Sequence, residues 1–280
     1  MMRIDAHHHL WKPERGDYHW MPKDVAVLNR AYAPRDLGSS LAACNIDKTI
    51  LVQAAATVEE TEYMLGLADG SDFIAGVVGW VDFEQPEHRA ILDRLAGHPL
   101  FKGVRPMIQD LPDDDWMLRD DVQWAFAALS ETGLTFDALG FPRHMKNFLT
   151  ILTRYPDMRV VLDHCMKPQI RDHSANTFSA WADGIALLAN ETSAYCKFSA
   201  LITEASEDWT TQSLRPYVEH ILDCFGPDRV MWGSDWPVCR LRAEYEDWHA
   251  AAVDLTAELS DTDRAAVFGA TASAFYQIPT

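Results

Sequence analysis

The chain has 280 residues, 48% of them hydrophobic, with a formal net charge of −18 and a pI near 4.9. That length suits one α/β barrel of about 250 residues, and the acidic balance argues against nucleic acid or an anionic membrane as partner, because both need a basic patch. No apolar run approaches the ~20 residues that span a bilayer, no basic segment followed by an apolar run marks a signal peptide, and the five cysteines are scattered without CxxC spacing, which predicts reduced thiols in a cytoplasmic protein.

Short apolar, β-branched runs alternate with stretches of helical periodicity. The first strand, residues 3–7, runs through Ile4-Asp5-Ala6 into His7-His8-His9. Side chains alternate faces along a strand, so His7 and His9 share one side and His8 takes the other. Two imidazoles at one strand end make half of a divalent-metal site or a proton-handling pair. An irregular stretch follows over residues 10–33, with Trp11, Tyr18, Trp20 and Tyr32. Long loops of this kind form lids or binding walls, and Trp11, nearest to His9, is the aromatic expected to touch a ligand.

A helix over 34–44 leads to a strand at 48–53. Thr57 with Glu60 makes a capping-box pattern for the next helix. Strand 73–81 and helix 85–96 precede a short strand, 102–104, that ends at Arg105-Pro106. A residue before proline stays extended, so Arg105 reaches the strand's end. The run Asp113-Asp114-Asp115 reads as a solvated loop. Helix 120–131 and strand 134–138 follow, the strand holding Asp137, then helix 142–154. Strand 159–163 passes directly into His164 and breaks at Pro168. Cys165 reads as a small buried hydrophobe. Helix 177–190 precedes strand 194–199, where Lys197 and Ser199 share a face. A lysine there should face the interior or the mouth of a barrel, and Asp137 can pair with such an interior cation. Helix 214–225 precedes strand 229–233, which ends in Ser234-Asp235-Trp236-Pro237. Helices over 243–259 and 261–275 complete the chain.

Eight strand–helix units predict a (β/α)8 TIM barrel, with residues 1–280 as a single domain. No GxGxxG or GxxxxGK[ST] turn follows any strand, which weakens dinucleotide and P-loop readings. Barrel active sites form at the C-terminal ends of the strands. His7, His9, His164 and Asp235 should therefore converge there as metal ligands, with Asp235 a ligand, the general base for a water, or both. Arg105 and Lys197 can hold a carboxylate or polarise a carbonyl oxygen, with Trp11 and Trp236 as further substrate contacts.

These motifs, in this order, resemble the amidohydrolase superfamily. Within it they resemble the branch of sugar-acid lactonases (L-fuconolactonase and L-rhamnono-γ-lactonase types) and 2-pyrone-4,6-dicarboxylate lactonases. The resemblance extends over Lys102-Gly103-Val104-Arg105, Pro142-Arg143-His144, Lys167-Pro168, Lys197-Phe198-Ser199 and Gly226-Pro227-Asp228-Arg229. It implies a barrel of the metal-dependent-hydrolase type and water attack on the carbonyl of an aldonolactone, such as L-fucono- or L-rhamnono-lactone. Asp235 would be the base and His164 its catalytic companion. It also implies a divalent metal, Zn or Mn, that is dispensable in some members. Of the bridging carboxylated lysine and two further histidines of binuclear members, only His164 has a clear match, so one ion is expected at most. The chain departs from the pattern with His8 where glutamine is common, Pro106 where histidine is common and Ala200 where glycine is common. The competing readings are a decarboxylase of an unsaturated or aromatic acid, a lactone isomerase, and a catalytically dead barrel. The partner expected is a small-molecule lactone, and a homo-oligomer is compatible with the sequence.

Overall fold

The computed structural model describes residues 2–279. Strands and helices alternate as β1 (Ile4–His8), α1 (Pro34–Cys44), β2 (Lys48–Val52), α2 (Val58–Asp69), β3 (Ile74–Gly79), α3 (His88–Ala96), β4 (Phe101–Val104), α4 (Gln123–Thr132), β5 (Thr135–Ala138) and α5 (Met145–Arg154). They continue with β6 (Arg159–Leu162), α6 (Ala175–Glu191), β7 (Tyr195–Phe198), α7 (Leu201–Glu204), α8 (Thr211–Phe225), β8 (Val230–Trp232), α9 (Tyr245–Leu255), α10 (Asp261–Ala265) and α11 (Thr271–Phe275). The eight strands pair in sequence order, all parallel. A parallel bridge between His8 and Trp236 closes the seam, supported by Asp235 N donating to His7 O at 2.8 Å. This is the expected (β/α)8 barrel. No helix among the described residues is long and apolar enough to cross a membrane.

The local sequence explains most element boundaries. Pro34 opens α1 with its preset φ, and Asp36 accepts from Ala33 N at 2.8 Å. Thr57 caps α2 by accepting from Glu60 N at 3.1 Å. The Glu60 carboxylate does not complete the capping box. It turns instead to the end of β2 and accepts from the backbone N–H groups of Ala54 and Ala55, at 3.0 and 2.7 Å.

Two expectations are corrected. The predicted helix over 261–275 is broken by a wide turn at Ala266–Ala270. There the Gly269 backbone lies against Met2, and a Cβ on Gly269 would stand 2.1 Å from Met2 O. The short helix α7 was not visible as periodicity.

The barrel interior is apolar at its lower end. Ile4, Ala6, Ile50, Val52, Val78, Val161 and Met231 meet there, and Phe275, Tyr276 and Ile278 pack against them from the C-terminal segment. The larger core lies between strands and helices and is continuous with Trp11, Tyr18 and Tyr32 of the 10–33 loop.

Candidate active site

A β-bulge in β1 aims the first motif. Ile4 and Ala6 face the interior cluster, and Asp5 faces outward, where Tyr245 of α9 donates to it at 3.1 Å. Strict alternation would then send His8 inward. The register with β2 slips between Asp5 and His8, so Asp5 pairs with Thr49 and His8 with Leu51. The extra residue re-aims the strand. His7 and His9 turn inward, with Nε2 atoms 3.3 Å apart, while His8 turns outward to Thr49 Oγ1 at 2.8 Å.

Asp235 completes a trio. Its Oδ1 lies 3.2 Å from His9 Nε2 and 3.7 Å from His7 Nε2. Gly233 permits this approach of β8 to β1, since a Cβ there would stand 2.7 Å from His7 Cβ. His9 Nδ1 lies 2.8 Å from Val52 O. A carbonyl only accepts, so Nδ1 carries the proton and Nε2 offers a lone pair. A lone pair facing a carboxylate oxygen needs a proton or a cation between them. Ligands about 2.0–2.2 Å from a tetrahedral zinc ion stand about 3.3–3.6 Å from one another, close to the sides of this triangle. The trio therefore fits a divalent cation by spacing, with His9 Nε2 and Asp235 Oδ1 as its free donors.

The Amidohydrolase family model matches residues 4–278. The chain belongs to the amidohydrolase family. It is 39% identical to an L-fucono-1,5-lactonase of Burkholderia ambifaria, an alignment covering 99% of this chain and 96% of that one. An L-fucono-1,5-lactonase of Burkholderia multivorans is 35% identical over 99% and 97%. A crystal structure of a Burkholderia multivorans amidohydrolase with bound zinc aligns over 100% of both chains, with a TM-score of 0.94 and 32% identity.

In this amidohydrolase His164 does not join the trio of His7, His9 and Asp235. It forms a second group with His7 and Asp163. His164, Cys165, Met166 and Lys167 all have positive φ, between 50° and 59°. This left-handed turn costs roughly 1–2 kcal/mol per residue, and such strain persists only where the surroundings over-determine it. Here Lys167 N donates to His164 O at 2.8 Å, Trp181 Nε1 donates to Cys165 O at 2.7 Å, and Cys165 Sγ lies 3.2 Å from Lys197 O. His164 Nδ1 lies 2.8 Å from Ser199 Oγ, and its ring stands 4.4 Å from that of His7.

Beneath the histidines lies a closed ionic network. Lys197 is wholly buried, with Nζ 2.5 Å from Asp137 Oδ2, 3.0 Å from Asp163 Oδ1 and 3.1 Å from His7 Nδ1. Tyr276 donates to Asp137 Oδ2 at 2.8 Å. Arg105 Nη1 donates to Asp163 Oδ2 at 3.3 Å and Nη2 to Gln53 O, while the Gln53 amide donates back to Arg105 O. Buried ion pairs hold only with such additional bonds.

Burial sets the direction of most shifts. It pushes the His164 pKa down to about 3 and, with Lys197, holds His7 well below the usual histidine range, so both rings are neutral. Burial also opposes ionisation of Asp235 and Asp163. His164 and His9 outweigh it for Asp235, and Lys197 and His7 outweigh it for Asp163, so both carboxyls stay below their ordinary value. For Asp137 burial exceeds the pull of Lys197, and its pKa rises.

A cavity of about 330 Å³ opens above these groups. His9, Arg105, His164 and Asp235 form its polar wall, and Trp20, Met107, Leu139 and Val238 its apolar wall. Ala54, Gln109, Asp110 and Lys167 complete the lining.

Three expected substrate contacts lie elsewhere. Lys197 sits below His7, committed to two carboxylates. Trp11 is fully buried, donates to Leu28 O at 3.1 Å and Arg30 O at 2.9 Å, and stacks behind His9 at 6.0 Å. Trp236 packs on Tyr32 at 4.8 Å. The long loop needs a core of its own, and these indoles supply it. Trp20, tied to Ala54 O at 2.6 Å, takes the place on the wall expected of Trp11. Asp163 and Gln53 were missed as site residues. Asp163 was legible as the inward residue two beyond Val161, whereas Gln53 carried no signal.

Proposed function

We propose that the protein is a lactonase that opens the ring of a sugar-acid lactone by water attack at the carbonyl. The observation that carries this reading is the ionised Asp235 carboxylate on a cavity wall, against neutral His164 and the paired His7 and His9. The full-length similarity to two L-fucono-1,5-lactonases supports L-fucono-1,5-lactone as the first substrate to try.

Asp235, held below its ordinary pKa, is free to accept a proton. It takes one from a water positioned by His164 and His9. The water oxygen forms a bond to the lactone carbonyl carbon, and the carbonyl oxygen takes the negative charge. Collapse breaks the ring C–O bond, and the ring oxygen leaves as a hydroxyl with the proton from Asp235. Arg105, anchored by Asp163, holds the substrate, and Trp20 offers a flat face to the sugar ring. Trp11, Trp236 and Lys197 act from behind by fixing His9, the Asp235 segment and His7. A divalent cation held by His7, His9 and Asp235 would supply Lewis-acid polarisation of the carbonyl and acidify water. The second trio shares His7, and its Asp163 already faces Lys197 and Arg105, so one ion fits better than two. The free thiols support action in the cytoplasm.

A pH-stat screen of aldono-, aldaro- and dicarboxylate lactones, with and without chelator and beside a decarboxylation assay, tests the reading. Acid release from an aldonolactone above the spontaneous rate is expected. Carbon dioxide release from an unsaturated acid with no lactone opened would overturn it.

A further inference from the structure

Apart from a cation at the His7, His9 and Asp235 trio, the chemistry above gives one developing charge no donor from the protein. When water attacks the lactone, the carbonyl oxygen becomes an anion beside the Asp235 carboxylate, and stabilising such an oxyanion is commonly the largest catalytic contribution. Most of the strong donors at this end of the barrel are engaged. The two Nη atoms of Arg105 are tied to Asp163 and Gln53 O, and its remaining capacity goes to holding the substrate; Lys197 is held by Asp137, Asp163 and His7, and His9 Nδ1 by Val52 O.

Lys167 differs. It lines the cavity, its side chain is 17% exposed, and its ammonium has no hydrogen-bond partner among the described residues. Its ion-pair partner Glu204 is 3.8 Å away, and the Phe141 ring centroid is at 5.5 Å. It also closes the left-handed turn that begins at His164, with φ of 50°. Three residues apart in that turn, His164 and Lys167 both reach the cavity that Asp235 lines. A backbone strained over four residues brings the two side chains to one wall.

We propose that Lys167 is a catalytic residue, whose ammonium donates a hydrogen bond to the lactone carbonyl oxygen as that oxygen becomes an anion. Lys167 transfers no proton in this step; the proton of the attacking water still passes through Asp235 to the departing ring oxygen. The proposal rests on the lactonase reading of the same cavity.

The test is steady-state hydrolysis of L-fucono-1,5-lactone by the full chain. Lys167→Met should lower kcat by about 10²–10³-fold with KM little changed. Lys167→Arg should retain the larger share of the rate, and ethylammonium should restore activity to Lys167→Ala in a concentration-dependent way. Glu204→Gln, which removes only the ion-pair partner, should keep most of the activity. A Lys167→Met enzyme within about threefold of the wild-type kcat, a Glu204→Gln loss equal to that of Lys167→Met, or no amine rescue would overturn the proposal. Failure of the wild type to open any lactone would instead overturn the lactonase reading itself.

Discussion

The two ends of the barrel interior are built on opposite principles. At the lower end, Ile4, Ile50, Val161 and Met231 meet Phe275 and Ile278 in an apolar plug. At the upper end the strands of the barrel deliver His7, His9, Arg105, Asp137, Asp163 and Lys197, all buried and all polar. Removing apolar surface from water stabilises the lower end without directional demands. The upper end gains little from burial, because desolvating charges costs several kcal/mol per ion unless each is paired. The lower end therefore holds the barrel together, and the upper end is a device whose cost the rest of the fold supports. Tyr276 joins the two, packing in the plug and donating to Asp137.

That division can be broken by mutation. The largest effect should come from Asp235→Asn, which removes the proposed base from the cavity wall. Lactone turnover should fall on the order of 10²–10⁴-fold in kinetic assays while the melting temperature stays near wild type. Lys197→Met should act on both properties. It leaves Asp137 and Asp163 buried without their shared cation, so chemical denaturation should show a loss of about 3–5 kcal/mol, and kcat should fall as His7 loses its support.

Met231→Ala in the lower plug should cost about 2–5 kcal/mol with kcat unchanged. A fall in kcat that tracks the lost stability would show that the two ends are not separable. The smallest effect concerns Glu60, whose carboxyl binds the end of β2 and is raised by burial from 4.5 to about 7. The folded chain binds this proton more tightly than the unfolded chain. Its stabilising contribution is full below pH 4.5 and is lost as pH rises through about 7. Unfolding measured from pH 4 to 8 should therefore show a slope in the wild type that flattens in Glu60→Gln.

The lower end was the easier part to read in the sequence. Alternation of β-branched runs with helical periodicity is the pattern by which parallel strands bury both faces, and all eight strands were found. The rim was legible in its residue types and less so in its aim. His7 and His9 were placed on one face by simple alternation, but only the bulge after Asp5 makes that face the interior. Sequence carries no mark of such a bulge. Trp11 and Trp20 are equivalent as letters, and the folding of one loop decides which of them sees the cavity. Lys197 was correctly turned inward, yet its depth below His7 depends on Asp137, Asp163 and Tyr276 arriving from three other places in the chain. Long-range convergence of this kind has no local signature.

The account stands or falls on whether Asp235 drives water onto a lactone carbonyl. Hydrolysis of L-fucono-1,5-lactone in ¹⁸O-enriched water, followed by mass spectrometry with wild type and Asp235→Asn side by side, measures this directly. The account predicts one ¹⁸O in the product carboxylate, at a wild-type rate above the spontaneous reaction and an Asp235→Asn rate close to it. Equal rates in the two proteins, or turnover without label in the carboxylate, would contradict it.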